Sequence, residues 1–143
     1  MVLACGPIGP FAGGRLKGEE AAWPADWSRL AQVENAQLET NPDAPHSINI
    51  WFVIVDGEPY LATSLLMGSD VPDEREWVRN VSADPKIRLR VEGNVYPARV
   101  NPVSDAATKA RVFASFQEKY PNLDASRGET SRFYVVGRPV DNQ

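Results

Sequence analysis

The run Ser47-Ile-Asn-Ile-Trp-Phe-Val-Ile-Val55 carries the strongest strand signal in the chain and decides its fold. Its even-numbered residues are all large and apolar, and its odd-numbered residues include Trp51, Val53 and Val55. Because successive side chains of a strand point to opposite faces, both faces of this strand need cover. In a small barrel one face fills the interior while the other meets a second subunit. The run therefore predicts a barrel strand in a homodimer.

Further strand patterns lie on both sides of this run, separated by turn residues. Asp56-Gly57 and Gly93-Asn94 have the composition of two-residue hairpin turns. The predicted strands are residues 33–40, 47–55, 59–64, 86–91, 95–102 and 132–136.

Two helices interrupt the strands. Pro72–Ser82 follows a capping candidate, Ser69 or Asp70, and carries an apolar stripe. A second helix is predicted over residues 105–119, with Ser104 as its cap. The order β-β-β-α-β-β-α-β predicts an α+β fold, a six-stranded antiparallel split β-barrel with two flanking helices.

The composition separates an N-terminal segment from the rest of the chain and argues against some classes of binding partner. Residues 1–28 are rich in glycine and proline and predict an extended N-terminal arm, and residues 29–143 form the barrel domain. The net charge of −4 gives no reason to expect a nucleic-acid partner. No run is long enough to span a membrane. One histidine, His46, and one cysteine, Cys5, without metal-ligand spacing, predict no metal site.

The first residues allow two interpretations. Ala4-Cys5 is like the end of a bacterial lipoprotein signal, in which a small residue precedes the lipidated cysteine. If the true start lies upstream, Cys5 is a lipid anchor and the protein belongs to the cell envelope. Otherwise Cys5 is a free thiol in a frayed terminus, and the chain as given is cytoplasmic.

One group of side chains around the first helix is suited to holding a phosphate. Arg75 and Arg79 are four residues apart and share a helix face. Thr63 and Ser64 end a strand just upstream, and Ser69 lies near the start of the helix. Hydroxyls, a helix start and two guanidiniums can together bind an anion. The alternative is a solvated face with a local ion pair.

The hairpin at Gly93-Asn94 supplies a second cationic pair. A two-residue turn there places Arg88 opposite Arg99, which is unfavourable unless an anion lies between them. That anion is either a ligand or a carboxylate such as Glu39 from a neighbouring strand or subunit. A salt-bridged outer surface is the alternative.

The tryptophans are the candidate ring contacts. Trp51 and Trp77 are placed to flank a flat cofactor ring, although buried aromatic residues more often belong to a core or an interface. No familiar catalytic motif is present, so the sequence assigns no catalytic residue.

The stretch from Trp77 to Val91, followed by Gly93 and Ala98-Arg99, resembles the FMN- and F420-binding split-barrel superfamily. That group contains pyridoxamine 5′-phosphate oxidase-like proteins and deazaflavin-dependent reductases. The resemblance covers about residues 30–137. It implies a homodimer with FMN or F420 in a cleft between subunits.

The resemblance also implies which residues bind the cofactor. Thr63, Ser64, Arg75 and Arg79 match positions that contact its phosphate, and Trp77 would border its ring. The expected function is a flavin- or deazaflavin-dependent oxidoreductase acting on an unidentified small molecule, in which the cofactor supplies the hydride chemistry. The alternative is a non-catalytic, small-molecule-binding envelope lipoprotein that keeps the fold.

Overall fold

The computed structural model describes residues 6–139 and confirms the predicted barrel. The Cys5 anchor predicted from the sequence lies outside these residues. The strands are β1 (Glu19–Glu20), β2 (Asn35–Thr40), β3 (His46–Val55), β4 (Glu58–Ala62), β5 (Lys86–Val91), β6 (Asn94–Pro102) and β7 (Phe133–Gly137), and the helices are α1 (Glu76–Ala83) and α2 (Ala106–Lys119).

Six of these strands close into one antiparallel barrel. Their order is β6-β5-β2-β3-β4-β7, and β7 pairs again with β6 to complete the ring. The short β1 was not predicted. It pairs in parallel with the start of β6, on the edge that β7 occupies further along that strand.

Both faces of β3 are covered, as its sequence predicts, but the outer cover comes from the same chain. Phe52 is fully buried in the barrel interior. On the outer face, Val53 is buried in a second cluster with Phe116 and Tyr120 at the end of α2. A partner subunit is therefore not needed to shield this part of the strand.

The predicted helix at Pro72–Ser82 is two helices with a break between them. A 3-10 turn covers Pro72–Glu74, and Arg75 then adopts an extended backbone with ψ of 129° before α1 begins. Ser69 does not cap α1. Its hydroxyl accepts a hydrogen bond from Val71 N and donates one to the carboxylate of Glu74, so it stabilises the loop instead.

The β5–β6 turn is one residue earlier than predicted. Its central residues are Glu92 and Gly93, with φ of 52° and 84°, which is the left-handed pair that a tight hairpin turn requires. The shift changes the register, so Lys86 faces Arg99 and Arg88 faces Pro97. The predicted pairing of Arg88 with Arg99 was therefore wrong.

Asp105, not Ser104, caps α2. The Asp105 carboxylate accepts a hydrogen bond from Thr108 N at 2.8 Å, and this bond lowers the pKa of Asp105. We expect Asp105→Ala to lower the free energy of unfolding, because the first turn loses its acceptor. Urea denaturation measures the loss. Ser104→Ala is the matched control, and an equal loss there would contradict the cap.

The N-terminal arm packs on the barrel. Its Leu16 is buried, and Trp27 is buried in the barrel core with its ring centroid 4.8 Å from that of Tyr96. The boundary predicted at residue 28 falls inside a 3-10 helix, Trp27–Leu30, and the division into arm and barrel domain stays a prediction. Within residues 6–139, no helix is both long and apolar enough to cross a membrane.

An ion pair beneath the arm holds it in place. Glu39 is 2% exposed, accepts a hydrogen bond from Leu16 N at 2.7 Å, and bonds the Arg88 guanidinium at 2.8 Å. Arg88 also donates to Leu16 O at 3.1 Å. The anion predicted beside Arg88 is therefore Glu39, directly across from it on the neighbouring strand.

Candidate functional site

A groove of about 380 Å³ opens between the arm, β3 and the loop that follows β4. This volume lies within the range of small-molecule sites. The wall is mostly apolar, with a few polar groups at defined positions. The groove is lined by Gly9, Pro10, Asn35, Ile48, Asn49, Ile50, Trp51, Ala62, Ser64, Leu65, Leu66, Met67, Arg75 and Trp77.

Arg75 is the cation of this groove. Its Nε donates to Ser64 Oγ at 2.7 Å, and its Nη2 donates to Met67 O at 2.6 Å. These bonds draw the side chain back from the start of α1 across the loop. Arg75 is also the residue at which the 3-10 turn ends and α1 begins.

The charge of Arg75 has no carboxylate counter-ion in the part of the chain that the structure describes. Among residues 6–139, no carboxylate lies within ion-pair distance of it. Burial, with the nearby positive charge of Arg127, lowers the pKa of Arg75. A half-buried guanidinium in this position is poorly compensated, and a bound anion would stabilise it.

Arg127 reaches the same loop from the segment before β7. Its Nη1 donates to Ser64 O at 3.2 Å, and its Nε lies 3.7 Å from Asp124. Two guanidiniums therefore converge on Ser64, one on its hydroxyl and one on its carbonyl. The sequence analysis missed Arg127, because nothing in its local pattern indicates that it lies beside a loop some sixty residues earlier.

The backbone of this loop adopts left-handed angles at two residues near the guanidiniums. Ser64 has φ of 42° and Gly68 has φ of 80°. A Cβ placed on Gly68 would lie 2.4 Å from Arg75 Nη2. The backbone angle therefore favours glycine at this position, and a larger residue would also push the guanidinium away from its present place.

Three of the predicted phosphate ligands lie elsewhere. Thr63 is 1% exposed, and its hydroxyl accepts a hydrogen bond from Arg132 N at 2.8 Å. Ser69 is engaged within its own loop, as described above. Arg79 is exposed and donates to Asp73 O at 3.0 Å. None of the three lines the groove, so the structure brings together only Ser64, Arg75 and Trp77 of the predicted set.

Both candidate tryptophans line the groove. Trp77 is 4% exposed and packs in the barrel core, with its ring centroid 5.2 Å from that of Tyr134. Trp51 is half-buried and stacks on Tyr120 at 4.2 Å with an angle of 9° between the rings. The Tyr120 hydroxyl accepts a hydrogen bond from Phe52 N at 3.1 Å, which fixes the stack on the barrel.

The tip of the arm forms the opposite wall, which the sequence analysis also missed. Gly9 and Pro10 form the turn between Ile8 and Phe11, and Asn49 donates its side-chain N–H to Gly9 O at 3.0 Å. The sequence signal for this contact was Asn49, a polar side chain among the apolar residues of the strand. It indicates a polar partner on the outer face of β3.

The family model of F420H2-dependent quinone reductases matches residues 47–137, which include β4 to β7 and all of β3 except His46. The chain belongs to this family. Membership of the F420H2-dependent quinone reductase family agrees with the resemblance to split-barrel proteins drawn from Trp77–Val91. No curated protein is significantly similar to the chain in sequence.

Solved structures of distant relatives share the fold of this F420H2-dependent quinone reductase family member. A conserved hypothetical protein from Mycobacterium tuberculosis is 16% identical, with 87% of this chain and 85% of that one covered and a TM-score of 0.64. A putative pyridoxamine 5′-phosphate oxidase from Listeria innocua is 14% identical over 76% and 86%, with a TM-score of 0.56. An F420 reductase is 16% identical over 81% and 94%, with a TM-score of 0.52.

Proposed function

We propose that this protein is a deazaflavin-dependent oxidoreductase that binds F420 in the groove between the arm and β3, with FMN as the alternative cofactor. The family model supports F420, since its members are described as F420H2-dependent quinone reductases. The half-buried charge of Arg75, which lacks a carboxylate partner in residues 6–139, is the observation that carries the proposal. Both cofactors bear a phosphate that would supply the missing anion.

In this proposal Arg75 and the Ser64 hydroxyl hold the phosphate. Within residues 6–139, the terminal nitrogen Nη1 of Arg75 has no hydrogen-bond acceptor, and Ser64 Oγ can donate its own proton while it accepts from Arg75 Nε. Arg127 adds positive potential from the other side of the loop. Thr63, Ser69 and Arg79, which the sequence also suggested, would then act through the loop and helix rather than by contact.

The aromatic wall orients the ring in the same proposal. Trp51 is held flat against Tyr120, and Trp77 closes the floor of the groove from the barrel core. The bound cofactor would supply hydride transfer, two electrons and a proton, to an acceptor such as a quinone. The chain's own residues bind, orient and exclude water, and the apolar groove lining suits a flat, apolar acceptor.

We infer that the cofactor site is completed in a homodimer. Large apolar side chains are exposed on both segments that contribute to the groove: Ile8 and Phe11 on the arm, and Leu66, Met67 and Val71 on the loop. Such a cluster is typical of a protein–protein contact. Light scattering of the purified chain measures the oligomeric state directly.

Direct titration tests the proposed function. We expect purified protein to bind F420 with quenching of the cofactor's fluorescence, and to bind FMN more weakly. Reduced F420 should then be oxidised in the presence of a quinone at a rate that depends on the protein. Failure to bind either cofactor would leave the family fold in place and refute the proposed activity.

A further inference from the structure

A second cavity lies beside the groove and shares one wall with it. It measures about 250 Å³ and is lined by Gln32, Glu34, Trp51, Lys119, Tyr120, Pro121 and Asn122. Trp51 lines both spaces, so a molecule in one and a molecule in the other would be separated by a single indole ring.

Lys119 is the cation of this second cavity. It is half-buried at the end of α2, and its Nζ lies 3.9 Å from the centre of the Phe52 ring and donates to Phe52 O at 2.8 Å. A lysine ammonium can donate three hydrogen bonds. Within residues 6–139, Phe52 O is the single acceptor of a hydrogen bond from Lys119.

No carboxylate within residues 6–139 neutralises Lys119 at ion-pair distance. Burial lowers the pKa of Lys119 to about 8, and the more distant charge of Glu34 opposes that effect only in part. The Phe52 and Tyr120 rings, whose centres lie 3.9 Å and 5.2 Å from Nζ, stabilise part of this charge, and the ammonium still has hydrogen-bond donors to spare.

We propose that this cavity is a binding site for a carboxylate, anchored by the Lys119 ammonium and separate from the groove that holds the cofactor. The side-chain amides of Gln32 and Asn122 line the same cavity and can donate further N–H groups. Glu34 lines it too, and its negative charge would repel a dianion. One ammonium beside one carboxylate therefore selects a ligand with a single negative charge, carried on a body that fits against Trp51 and Tyr120.

Benzoate and benzamide are the test ligands, because they share a shape and differ in charge. Carbon-13 labelling of lysine Cε allows each lysine to be titrated by NMR in protein without cofactor, and the exposed Lys17 and Lys86 serve as internal references. We expect saturating benzoate to raise the midpoint of Lys119 by about one pH unit, since a neighbouring opposite charge favours the ammonium. Benzamide should leave it unchanged.

The pH dependence of benzoate affinity is a second test of the site. Benzoate pairs with the charged amine only, so its affinity should be constant below the pKa of Lys119, which is about 8, and fall as pH rises through it. Above that point the decrease should approach about tenfold per pH unit. Equal binding of benzamide, or an affinity that does not vary with pH, would overturn the proposal.

Variants locate the site within the chain. Lys119→Gln should abolish benzoate binding and Lys119→Arg should retain it, while Lys109→Gln, on the same helix, should bind normally. If benzoate bound Lys119→Gln as it binds the native chain, the carboxylate site would lie elsewhere. Loss of benzoate binding in Arg75→Met with Lys119 intact would place the ligand in the groove and likewise refute a separate site.

The carboxylate can belong to a free small molecule or to an extension of whatever occupies the groove. Repeating the benzoate titration with cofactor-loaded protein distinguishes the two sources, since an extension that already fills the cavity excludes benzoate. This site does not depend on the proposed activity. Protein that binds benzoate but neither F420 nor FMN would refute the function and keep the carboxylate site.

Discussion

Arg75→Met should weaken the binding of F420, or of FMN, by about 10- to 100-fold, because a hydrogen-bonded charge contributes about 1.5–3 kcal/mol. Methionine keeps much of the apolar stem of Arg75 and removes the guanidinium. The loss should be confined to ligands with a phosphate. Riboflavin, which lacks the phosphate of FMN, should bind the variant and the native chain equally.

Arg79→Met is the matched control for this experiment. Arg79 lies on the same helix but is exposed, and its guanidinium donates to Asp73 O outside the groove. An exposed charge of this kind contributes little, so cofactor affinity should change by less than about twofold. If both variants weakened binding equally, the phosphate would not be held by Arg75 as proposed.

Arg75→Lys separates charge from geometry. Lysine keeps the positive charge but cannot donate to Ser64 Oγ and Met67 O at once through a planar fork. Its cofactor affinity should fall between those of the native chain and Arg75→Met. Thermal unfolding of each variant shows whether the loop still folds, and a normal unfolding temperature with unchanged affinity would count against the site.

Glu39→Ala should be the most destabilising of the substitutions considered, by about 3–5 kcal/mol in the free energy of unfolding. Glu39 is buried, and its removal leaves Arg88 without its 2.8 Å partner and Leu16 N without its acceptor. Arg88 Nε is already buried without a hydrogen-bond partner among the described residues, so the remaining charge would be poorly compensated. Denaturation in urea measures the change.

Glu20→Ala serves as the control, because Glu20 also faces Arg88, at 3.6 Å, but is largely exposed. Its loss should cost less than about 1 kcal/mol. The double variant Glu39→Met with Arg88→Met should be more stable than Glu39→Ala alone, since it removes both charges together. A Glu39→Ala protein as stable as Glu20→Ala would contradict the role of this ion pair.

The same ion pair has a consequence for the groove. Leu16 is tied to both Glu39 and Arg88, and the arm continues from there to the Gly9–Pro10 turn that forms one wall of the site. We therefore expect the Glu39→Ala protein to lose cofactor affinity as well as stability. The buried ion pair beneath the arm therefore also holds in place the groove wall that the arm forms.

The barrel could be predicted from the sequence because its signals are local and strong. The Ser47–Val55 run, the hairpin turns and the two helix patterns are each readable within about ten residues. Short connections account for the pairs β2–β3, β3–β4 and β5–β6, whereas β2–β5 and β4–β7 join strands that are far apart in the sequence. The one-residue error at Glu92–Gly93 arose because glutamate rarely takes the left-handed angle that it has there.

The site was only partly predictable because its contacts are long-range. Ser64 and Arg75 are close in sequence, and their pairing with Trp77 could be inferred. Arg127 joins them only after β7 has folded beside β4, and the arm tip reaches β3 across some forty residues. Thr63 and Arg79 are residue types that can bind a phosphate, but neither lies in the groove. Thr63 is buried, and the guanidinium of Arg79 donates to a backbone carbonyl.

The position of β7 in the ring bears on how this protein is made in the cell. Residues 133–137 pair with β4 on one side and with β6 on the other, so this strand joins the two edges and closes the ring. The ring therefore cannot close until residues 133–137 have left the ribosome. Until then the nascent chain exposes two open strand edges, which are templates for aggregation, and its yield should depend on chaperones that shield them.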